Sequence, residues 1–215
     1  MIRPEERQDS RRRFLWTTAC LGLVGRAARE PFDSLPAGAW QHARQNGLVM
    51  LRFPAPSRLS WQTQIARSDE PGEPLVVSGR VFAPDGRTPA SGVTVYAYNT
   101  DAQGYYGENH KEYPPRIYGW MKTDPAGRFE LRTIRPGHYP DMRIPAHIHF
   151  SLWGAGYPPQ WAEELRFQGD PYLTEAVAAE DAQRGPFRTI QPLVRDGGLW
   201  RCEIKIRLAR ETNFR

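Results

Sequence analysis

The sequence has only two cysteines among its 215 residues, and this scarcity excludes a disulfide scaffold. Cys20 lies in an apolar run near the N-terminus, so we expect Cys202 to be the single cysteine of the folded body. Extended apolar segments are scarce as well. The run at residues 16–24 is too short to span a bilayer.

A strong excess of one charge is also missing from most of the chain. The formal net charge is +5, from 29 basic and 24 acidic residues. Residues 1–30 hold seven arginines against four acidic residues, which leaves 22 basic and 20 acidic residues elsewhere. Such a balanced body does not bind polyphosphate by charge alone, and we expect no nucleic-acid partner.

Residues 1–30 have the features of a targeting segment. A Ser-Arg-Arg-Arg motif at 10–13 precedes the apolar run at 16–24, and small residues follow it. This order resembles a twin-arginine export signal, so we expect a periplasmic or extracellular protein that has no membrane contact once the signal is removed. A basic tail before a short buried helix and a lipoprotein attached through Cys20 stay open as alternatives.

Turn-forming and strand-forming residues are abundant, with 20 prolines, 19 glycines and 12% aromatic residues. The length suits one domain. Short runs of β-branched and aromatic residues, bounded by Gly, Pro and Asp, predict strands at 75–82, 93–98, 120–134 (as a hairpin turning at 124–127), 146–153, 164–167, 188–194 and 199–208. Their short spacing predicts an all-β fold, a two-sheet β-sandwich with long loops.

Prolines interrupt the segment before the first strand and break any long element there. We therefore expect an export signal at 1–30, an irregular N-terminal arm at 31–72 with a short helix near 38–45, and a β-sandwich domain at 73–215. The strands at 75–82 and 93–98 are expected to pair. A turn at 196–198, Asp-Gly-Gly, is expected to join the last two strands.

The segment Pro-Ala-His-Ile-His-Phe at 145–150 carries the clearest chemical signal. Alternate side chains of a strand share a face, so His147 and His149 point the same way while Ile148 points into the packing. Two adjacent imidazoles can form one edge of a metal site. A His-x-His motif can equally be the exposed polar face of a strand, and this segment alone does not decide between the two.

A longer string of residues narrows the choice. Residues 127–140 read Gly-Arg-Phe-Glu-Leu-Arg-Thr-Ile-Arg-Pro-Gly-His-Tyr-Pro, and residues 145–152 read Pro-Ala-His-Ile-His-Phe-Ser-Leu. Together with Gly-Arg-Val at 79–81 and Gly-Asp-Pro at 169–171, they resemble the intradiol ring-cleavage dioxygenases of the protocatechuate and catechol type. The resemblance extends from about residue 73 to 172. It implies that 73–215 is the catalytic domain of a secreted, single-domain enzyme.

The resemblance implies four ligands for one non-haem ferric ion, Fe(III). In the family, both histidines of the strand and the tyrosine of the Pro-Gly-x-Tyr-Pro loop bind iron, which assigns His147, His149 and Tyr139. The fourth ligand, a tyrosine in a Gly-x-Tyr loop, falls on Tyr106 rather than Tyr105. Paired phenolates with neutral imidazoles favour ferric iron, because a trivalent cation strongly lowers the pKa of a phenol.

The implied reaction is cleavage of a catechol-type diol by O2 between its hydroxyl groups, which gives a muconate-type diacid. In the family, the diol loses both hydroxyl protons on binding and displaces one tyrosine, here Tyr139, which acts as a base. The expected partners are therefore a small aromatic diol and O2. A monomer and a homodimer both stay open.

The sequence departs from the family pattern in two places. The family's arginine three residues before the first histidine is replaced by Ile144, and Arg143 could take its role only if the loop shifts. The family's glutamine aligns with Glu164, which would bring negative charge to the site. We assign catalytic roles to Tyr139, Arg143 and Glu164, and we expect the departures to affect rate and substrate range more than iron binding.

Two further hypotheses stay open. Residues 78–93 also resemble the opening of transthyretin-like modules, which would make the chain a non-catalytic β-sandwich, although such modules lack the tyrosine and histidine set. A zinc or copper enzyme using the same ligands is the third hypothesis. We expect His138 and His110 to be solvated loop residues rather than partners of the ligands.

Overall fold

The computed structural model describes residues 55–110 and 115–213. The predicted export signal, and most of the predicted arm with its helix near 38–45, lie outside these residues. The strands are β1 (Gln62–Gln64), β2 (Pro74–Phe82), β3 (Thr94–Asn99), β4 (Ile117–Lys122), β5 (Arg128–Ile134), β6 (His147–Gly154), β7 (Tyr157–Phe167), β8 (Ile190–Gln191), β9 (Val194–Asp196) and β10 (Leu199–Arg207). The α-helix α1 is Glu175–Ala182, and single 3-10 turns lie at Glu108–His110 and Gly185–Phe187.

The strands form two five-stranded sheets. Sheet A has the order β1-β5-β2-β10-β9, and sheet B has the order β4-β3-β6-β7-β8. Alternating inward side chains of both sheets form one apolar core, which includes Val77, Leu131 and Ile204 from sheet A and Val95, Ile148 and Leu165 from sheet B. The predicted all-β, two-sheet sandwich is confirmed.

Two predicted pairings are wrong. Strands β2 and β3 do not pair, because β2 lies between β5 and β10 in sheet A while β3 lies between β4 and β6 in sheet B. The segment 120–134 is not a hairpin, since β4 and β5 belong to different sheets. Its turn at 124–127 instead carries the chain from one layer to the other, so that Met121 and Phe129 both enter the core.

Other elements add to the predicted pattern. The Asp-Gly-Gly turn joins β9 to β10 as predicted, with Asp196 opposite Leu199. Part of the predicted arm belongs to the sandwich, because β1 pairs in parallel with β5 at the edge of sheet A. Helix α1 was not predicted, although Thr174 is a typical N-cap and accepts a hydrogen bond from the Val177 amide. None of the described helices is long and apolar enough to cross a membrane.

Asp181 links helix α1 by hydrogen bonds to the segment that leads into β8. Its buried carboxylate accepts hydrogen bonds from the Thr189 amide at 2.8 Å, the Thr189 hydroxyl at 2.9 Å and the Ile190 amide at 3.0 Å. Burial alone would raise the pKa of Asp181, but these donors outweigh burial and hold the pKa below its ordinary value. The charged carboxylate therefore stabilises the edge of sheet B next to β7.

We expect Asp181→Asn to lower the free energy of unfolding by about 1–3 kcal/mol at neutral pH, because an amide nitrogen would face N–H donors. The folded-state pKa is depressed, so the stabilisation is complete above the ordinary value of 3.8 and is lost as pH falls through the folded-state pKa. Chemical denaturation at several pH values measures the difference between the two proteins.

Asp196→Asn is the matched control, since Asp196 is an exposed carboxylate paired with Arg201. It should change the unfolding free energy by less than about 1 kcal/mol. Equal losses in the two variants would contradict the role given to Asp181.

Candidate metal centre

The four side chains assigned as ligands lie together on the outer face of sheet B. The alternation of β6 directs Ile148 and Phe150 into the core, so His147 and His149 face outward. Tyr106 comes from the loop after β3, and Tyr139 from the loop between β5 and β6. The hydroxyl groups of Tyr106 and Tyr139 are in hydrogen-bond contact with each other.

The distances between donor atoms fit a shared ion. The Tyr106 hydroxyl is 2.7 Å from His149 Nε2, and the Tyr139 hydroxyl is 3.1 Å from His147 Nε2. The two Nε2 atoms are 3.1 Å apart. Two donors at right angles, each about 2.1 Å from one ion, are about 3 Å apart. Two phenols and two imidazoles thus present a compact N2O2 donor set.

Contacts at the Nδ1 atoms of the two imidazoles leave both Nε2 atoms able to bind a metal ion. His147 Nδ1 donates a hydrogen bond to the Pro145 carbonyl at 2.7 Å, which fixes the ring with an unprotonated Nε2 facing the cluster. His149 Nδ1 faces Glu164 Oε1 at 3.4 Å, and Tyr98 stacks on its ring at a centroid distance of 4.5 Å. Burial, with a further contribution from His147, lowers the pKa of His149 to about 3, so this imidazole is neutral.

The two tyrosines differ in exposure. Tyr106 is only 5% exposed, whereas Tyr139 is half-buried. The hydroxyl groups of Tyr106 and Tyr139 come from two different loops and lie next to each other. Tyr139 is therefore the phenol that a ligand entering from solvent meets more readily.

The two tyrosine-bearing loops touch through glycines. A Cβ on Gly104 would lie 1.7 Å from the His138 carbonyl oxygen, and a Cβ on Gly137 would lie 2.5 Å from the Ala102 carbonyl oxygen. Gly104 also has a φ of +93°, which favours glycine. The Gly137 amide donates to the Asp101 carbonyl at 2.8 Å, and the Thr100 hydroxyl donates to the Gly137 carbonyl at 2.9 Å.

An ionic network shapes the Tyr106 loop, and no sequence pattern predicted it. Asp101 Oδ1 accepts from the amides of Gln103 and Tyr105, while its other oxygen lies 3.2 Å from Arg116. Arg116 also pairs with Glu70, whose side chain is 3% exposed, and its amide donates to the Tyr106 carbonyl. The network holds both ends of the loop, which fixes where the Tyr106 phenol points.

Asp170 connects the Tyr139 loop to the start of β6. Its Oδ2 is 2.8 Å from His138 Nε2 and accepts from the Ala146 amide at 3.0 Å. His138 is therefore not the solvated loop residue that we expected, while the His110 side chain lies outside the described part. Asp170 is the acid of the Gly-Asp-Pro string noted above. The presence of an acid in that string was the signal in the sequence that could have predicted its role.

The two departures from the family pattern lie in different surroundings. Arg143 is exposed, and no described contact joins it to the four-residue cluster. Ile144, beside it, is half-buried and apolar. Glu164 does reach the cluster, because it lies two residues before Arg166, the ladder partner of His147, and so projects to the same face of β7. The structure thus brings Glu164 to the site and leaves Arg143 outside it.

Glu164 keeps its negative charge beside the histidines. Its Oε1 lies 3.8 Å from His147 Nε2, and its Oε2 accepts from Arg166 at 3.1 Å. Burial raises the pKa of Glu164, but His147 and the hydrogen-bonded Arg166 guanidinium outweigh burial and lower the pKa below its ordinary value. The carboxylate faces Nδ1 of His149 rather than its Nε2, as an outer partner of a metal-binding histidine does.

A cavity of about 440 Å³ opens beside His149. Its described lining includes Tyr98, His149, Ser151, Trp161, Glu164 and Arg166. A larger hollow of about 730 Å³ is lined by Ile65, Glu70 and Arg116 and includes none of the four donors. We regard the smaller cavity as the approach to the centre because one of the four donors forms part of its wall.

Known proteins resemble this chain over the part that carries the centre. A family model described as "Dioxygenase" matches residues 54–196. The protocatechuate 3,4-dioxygenase beta chain of Burkholderia cepacia is 34% identical over 119 residues, which is 50% of this chain and 50% of that protein. The 6-chlorohydroxyquinol 1,2-dioxygenase of Cupriavidus pinatubonensis is 34% identical over 119 residues, 47% of this chain and 42% of that protein.

The fold is shared as well. The crystal structure of 3-chlorocatechol 1,2-dioxygenase from Rhodococcus opacus 1CP superposes with a TM-score of 0.57 at 25% identity, covering 74% of this chain and 68% of that one. The matched family region exceeds half of the sequence, and the chain belongs to the intradiol dioxygenase family. It spans about half the length of the curated relatives it matches.

We expect Gly104→Ala to lower the free energy of unfolding by about 1–3 kcal/mol more than Gly169→Ala. Both glycines have a positive φ, +93° and +82°, but a Cβ on Gly169 would meet nothing within 4 Å. The difference therefore isolates the contact between the two loops from backbone strain. Chemical denaturation measures it, and equal losses would show that the loops do not depend on this contact.

Proposed function

We propose that this protein is a non-haem ferric intradiol dioxygenase. It takes a catechol-type aromatic diol and O2 and forms a muconate-type diacid. The observation that carries the proposal is the convergence of Tyr106, Tyr139, His147 and His149 on one point at the outer face of sheet B. Family membership supports the same reaction class.

Ferric iron fits this donor set well. Phenolates are hard anionic donors that stabilise the trivalent state, and the neutral imidazoles complete the set without adding charge. When bound, ferric iron would supply the Lewis acidity that withdraws electron density from a diol ring and prepares it for O2. Tyr106, Tyr139, His147 and His149 would hold it.

The two tyrosines have different roles in the proposal. Tyr106 is buried and held by the Asp101–Arg116 network, so it stays in place. Tyr139 is half-buried, and its phenolate is the base that takes a diol proton as the substrate enters. His147 is kept in one orientation by the Pro145 carbonyl throughout.

The substrate class follows from the relatives and the cavity together. The similar proteins described above are named for protocatechuate, 6-chlorohydroxyquinol and 3-chlorocatechol, which all carry adjacent hydroxyl groups. The cavity beside His149 has aromatic walls at Tyr98 and Trp161, which suit a flat ring. Its volume of about 440 Å³ leaves room for ring substituents.

A zinc site is the second candidate, and one observation favours it. Ligand atoms of His147, His149 and Glu164 lie within 4.8 Å of one another, and two histidines with a glutamate are a common zinc set. The ferric assignment accounts for more of the geometry, because both phenol groups also point at the histidine Nε2 atoms.

The iron-loaded protein should be coloured by tyrosinate-to-iron charge transfer, with a broad visible band that shifts when catechol is added without O2. Tyr106→Phe and His147→Ala should lose most of the band and of the bound iron, because each removes one donor. Visible absorption and metal analysis of the purified proteins measure both effects.

Tyr105→Phe is the control for the colour experiment, since Tyr105 adjoins Tyr106 but is outside the cluster. It should keep the band and the iron. Full colour in Tyr106→Phe would remove Tyr106 from the ligand set, and a colourless protein that binds zinc would favour the second candidate.

The wild-type protein should consume one O2 per catechol and form a muconate. Tyr139→Phe should lower kcat by roughly 100-fold or more, because it removes the base while leaving three donors. An oxygen electrode and chromatography of the product measure turnover. Coloured wild-type protein without any turnover on a panel of diols would contradict the enzyme proposal while sparing the metal centre.

A further inference from the structure

The β6–β7 register places a cation directly beside the metal-binding face. Arg166 on β7 lies opposite His147 on β6 in the strand ladder, and residues opposite each other on adjacent strands project to the same face. Glu164 precedes Arg166 by two residues, so strand alternation puts it on that face too, while Leu165 between them enters the core. Arg166 and Glu164 therefore stand side by side next to the histidines.

The two side chains form an ion pair inside the cavity wall. Arg166 donates to Glu164 Oε2 at 3.1 Å, and their side chains are only 27% and 34% exposed. The other carboxylate oxygen, Oε1, faces His149 Nδ1 at 3.4 Å. Glu164 thus links the guanidinium to the imidazole, which limits the positions that the guanidinium can take.

Arg166 is the one cation in the described lining of the cavity beside His149. Its guanidinium stays charged at all relevant pH values. Arg143 is exposed and outside the cluster, and Ile144 carries no charge. Among the described lining residues, the positive charge therefore comes from β7 and not from the loop that precedes His147.

Arg166 is important for ligand binding because the cavity also contains negative charge. A diol that binds as a catecholate brings negative charge to a wall that already contains the Glu163 and Glu164 carboxylates. Glu163 is paired with Arg184, whereas Glu164 is paired with Arg166, which attracts such a ligand and also offsets Glu164. With both present, the Arg166–Glu164 pair adds little net charge to the cavity.

We propose that Arg166 is the substrate-binding cation of this centre, held in place by Glu164, and that the diol occupies the cavity beside His149. Arg166 stabilises the anionic form of the bound diol, while Glu164 orients Arg166 and weakens binding through its own charge. This inference rests on the proposed function, because it requires a diol at the iron.

The two halves of the pair should act in opposite directions on catechol affinity. The probe is catechol itself, titrated without O2 into iron-loaded full-length protein, with the shift of the visible band as the readout. Arg166→Gln should raise the Kd for catechol by about tenfold or more, because a charged donor is lost. Glu164→Gln should lower the Kd several-fold, since the amide keeps an oxygen toward His149 but removes the charge.

Combination and rescue sharpen the test. The double variant Arg166→Gln with Glu164→Gln should return the Kd to within a few-fold of wild type. Arg166→Lys keeps the charge, so it should bind catechol more tightly than Arg166→Gln. Each variant should have wild-type iron content and the same band before catechol is added, which shows that the centre itself is intact.

Arg132→Gln is the matched control. Arg132 is also paired with a carboxylate two residues before it on its strand, Glu130 on β5, but neither residue lines the cavity beside His149. Its Kd for catechol should equal that of wild type.

Three results would overturn the proposal. One is an Arg166→Gln variant with iron and colour whose Kd stays within twofold of wild type. Another is a Glu164→Gln variant that weakens binding as much as Arg166→Gln does, because the pair would then be only structural. Both leave the proposed function standing. A wild-type protein that takes up no iron would overturn the proposed function and this inference together.

Discussion

The centre depends on two loops that approach each other more closely than side chains would allow. Gly104 and Gly137 form that contact, and the Asp101 carbonyl joins the loops by accepting a hydrogen bond from the Gly137 amide. The Asp101 carboxylate accepts from amides within the Tyr106 loop, and Arg116 pairs with both Asp101 and Glu70. These bonds limit how far the Tyr106 phenol can move.

Electrostatics at the cluster come from strand β7 rather than from the tyrosine loops. Strand alternation places Glu164 and Arg166 on the outer face of β7, with Leu165 between them in the core. The centre thus has its donors on β6 and two loops, and its charged neighbours on the adjacent strand. A substitution on β7 can therefore change the charge around the site without moving a donor.

The sequence predicted which side chains share a face better than it predicted which strands pair. Period-two alternation correctly placed His147 and His149 on one face, and the Asp-Gly-Gly turn was found at its predicted position. Alternation says which side chains face inward but not which sheet a strand joins, so β2 with β3, and β4 with β5, were paired wrongly. The buried groups Asp101, Arg116 and Asp170 act through contacts distant in sequence, which no local pattern encodes.

Glu164 and Arg143 show the same limit at the site itself. Both were assigned from the family resemblance, and only Glu164 reaches the histidines. Arg143 lies in the loop before β6, where no periodic pattern sets the direction of a side chain. Arg166 was not assigned, because alternation shows that it shares a face with Glu164 but not that it lies opposite His147.

The two sheets differ in how far apart along the chain their partners lie. In sheet B the largest separation is between β3 and β6, where Asn99 pairs with Ile148 and Thr94 with Trp153. In sheet A, β2 pairs in parallel with β10, and Leu75 lies opposite Trp200 across most of the described chain. Contacts between residues far apart in sequence require larger loops to be closed during folding. The most demanding loop closure thus belongs to the sheet behind the one that carries the histidines.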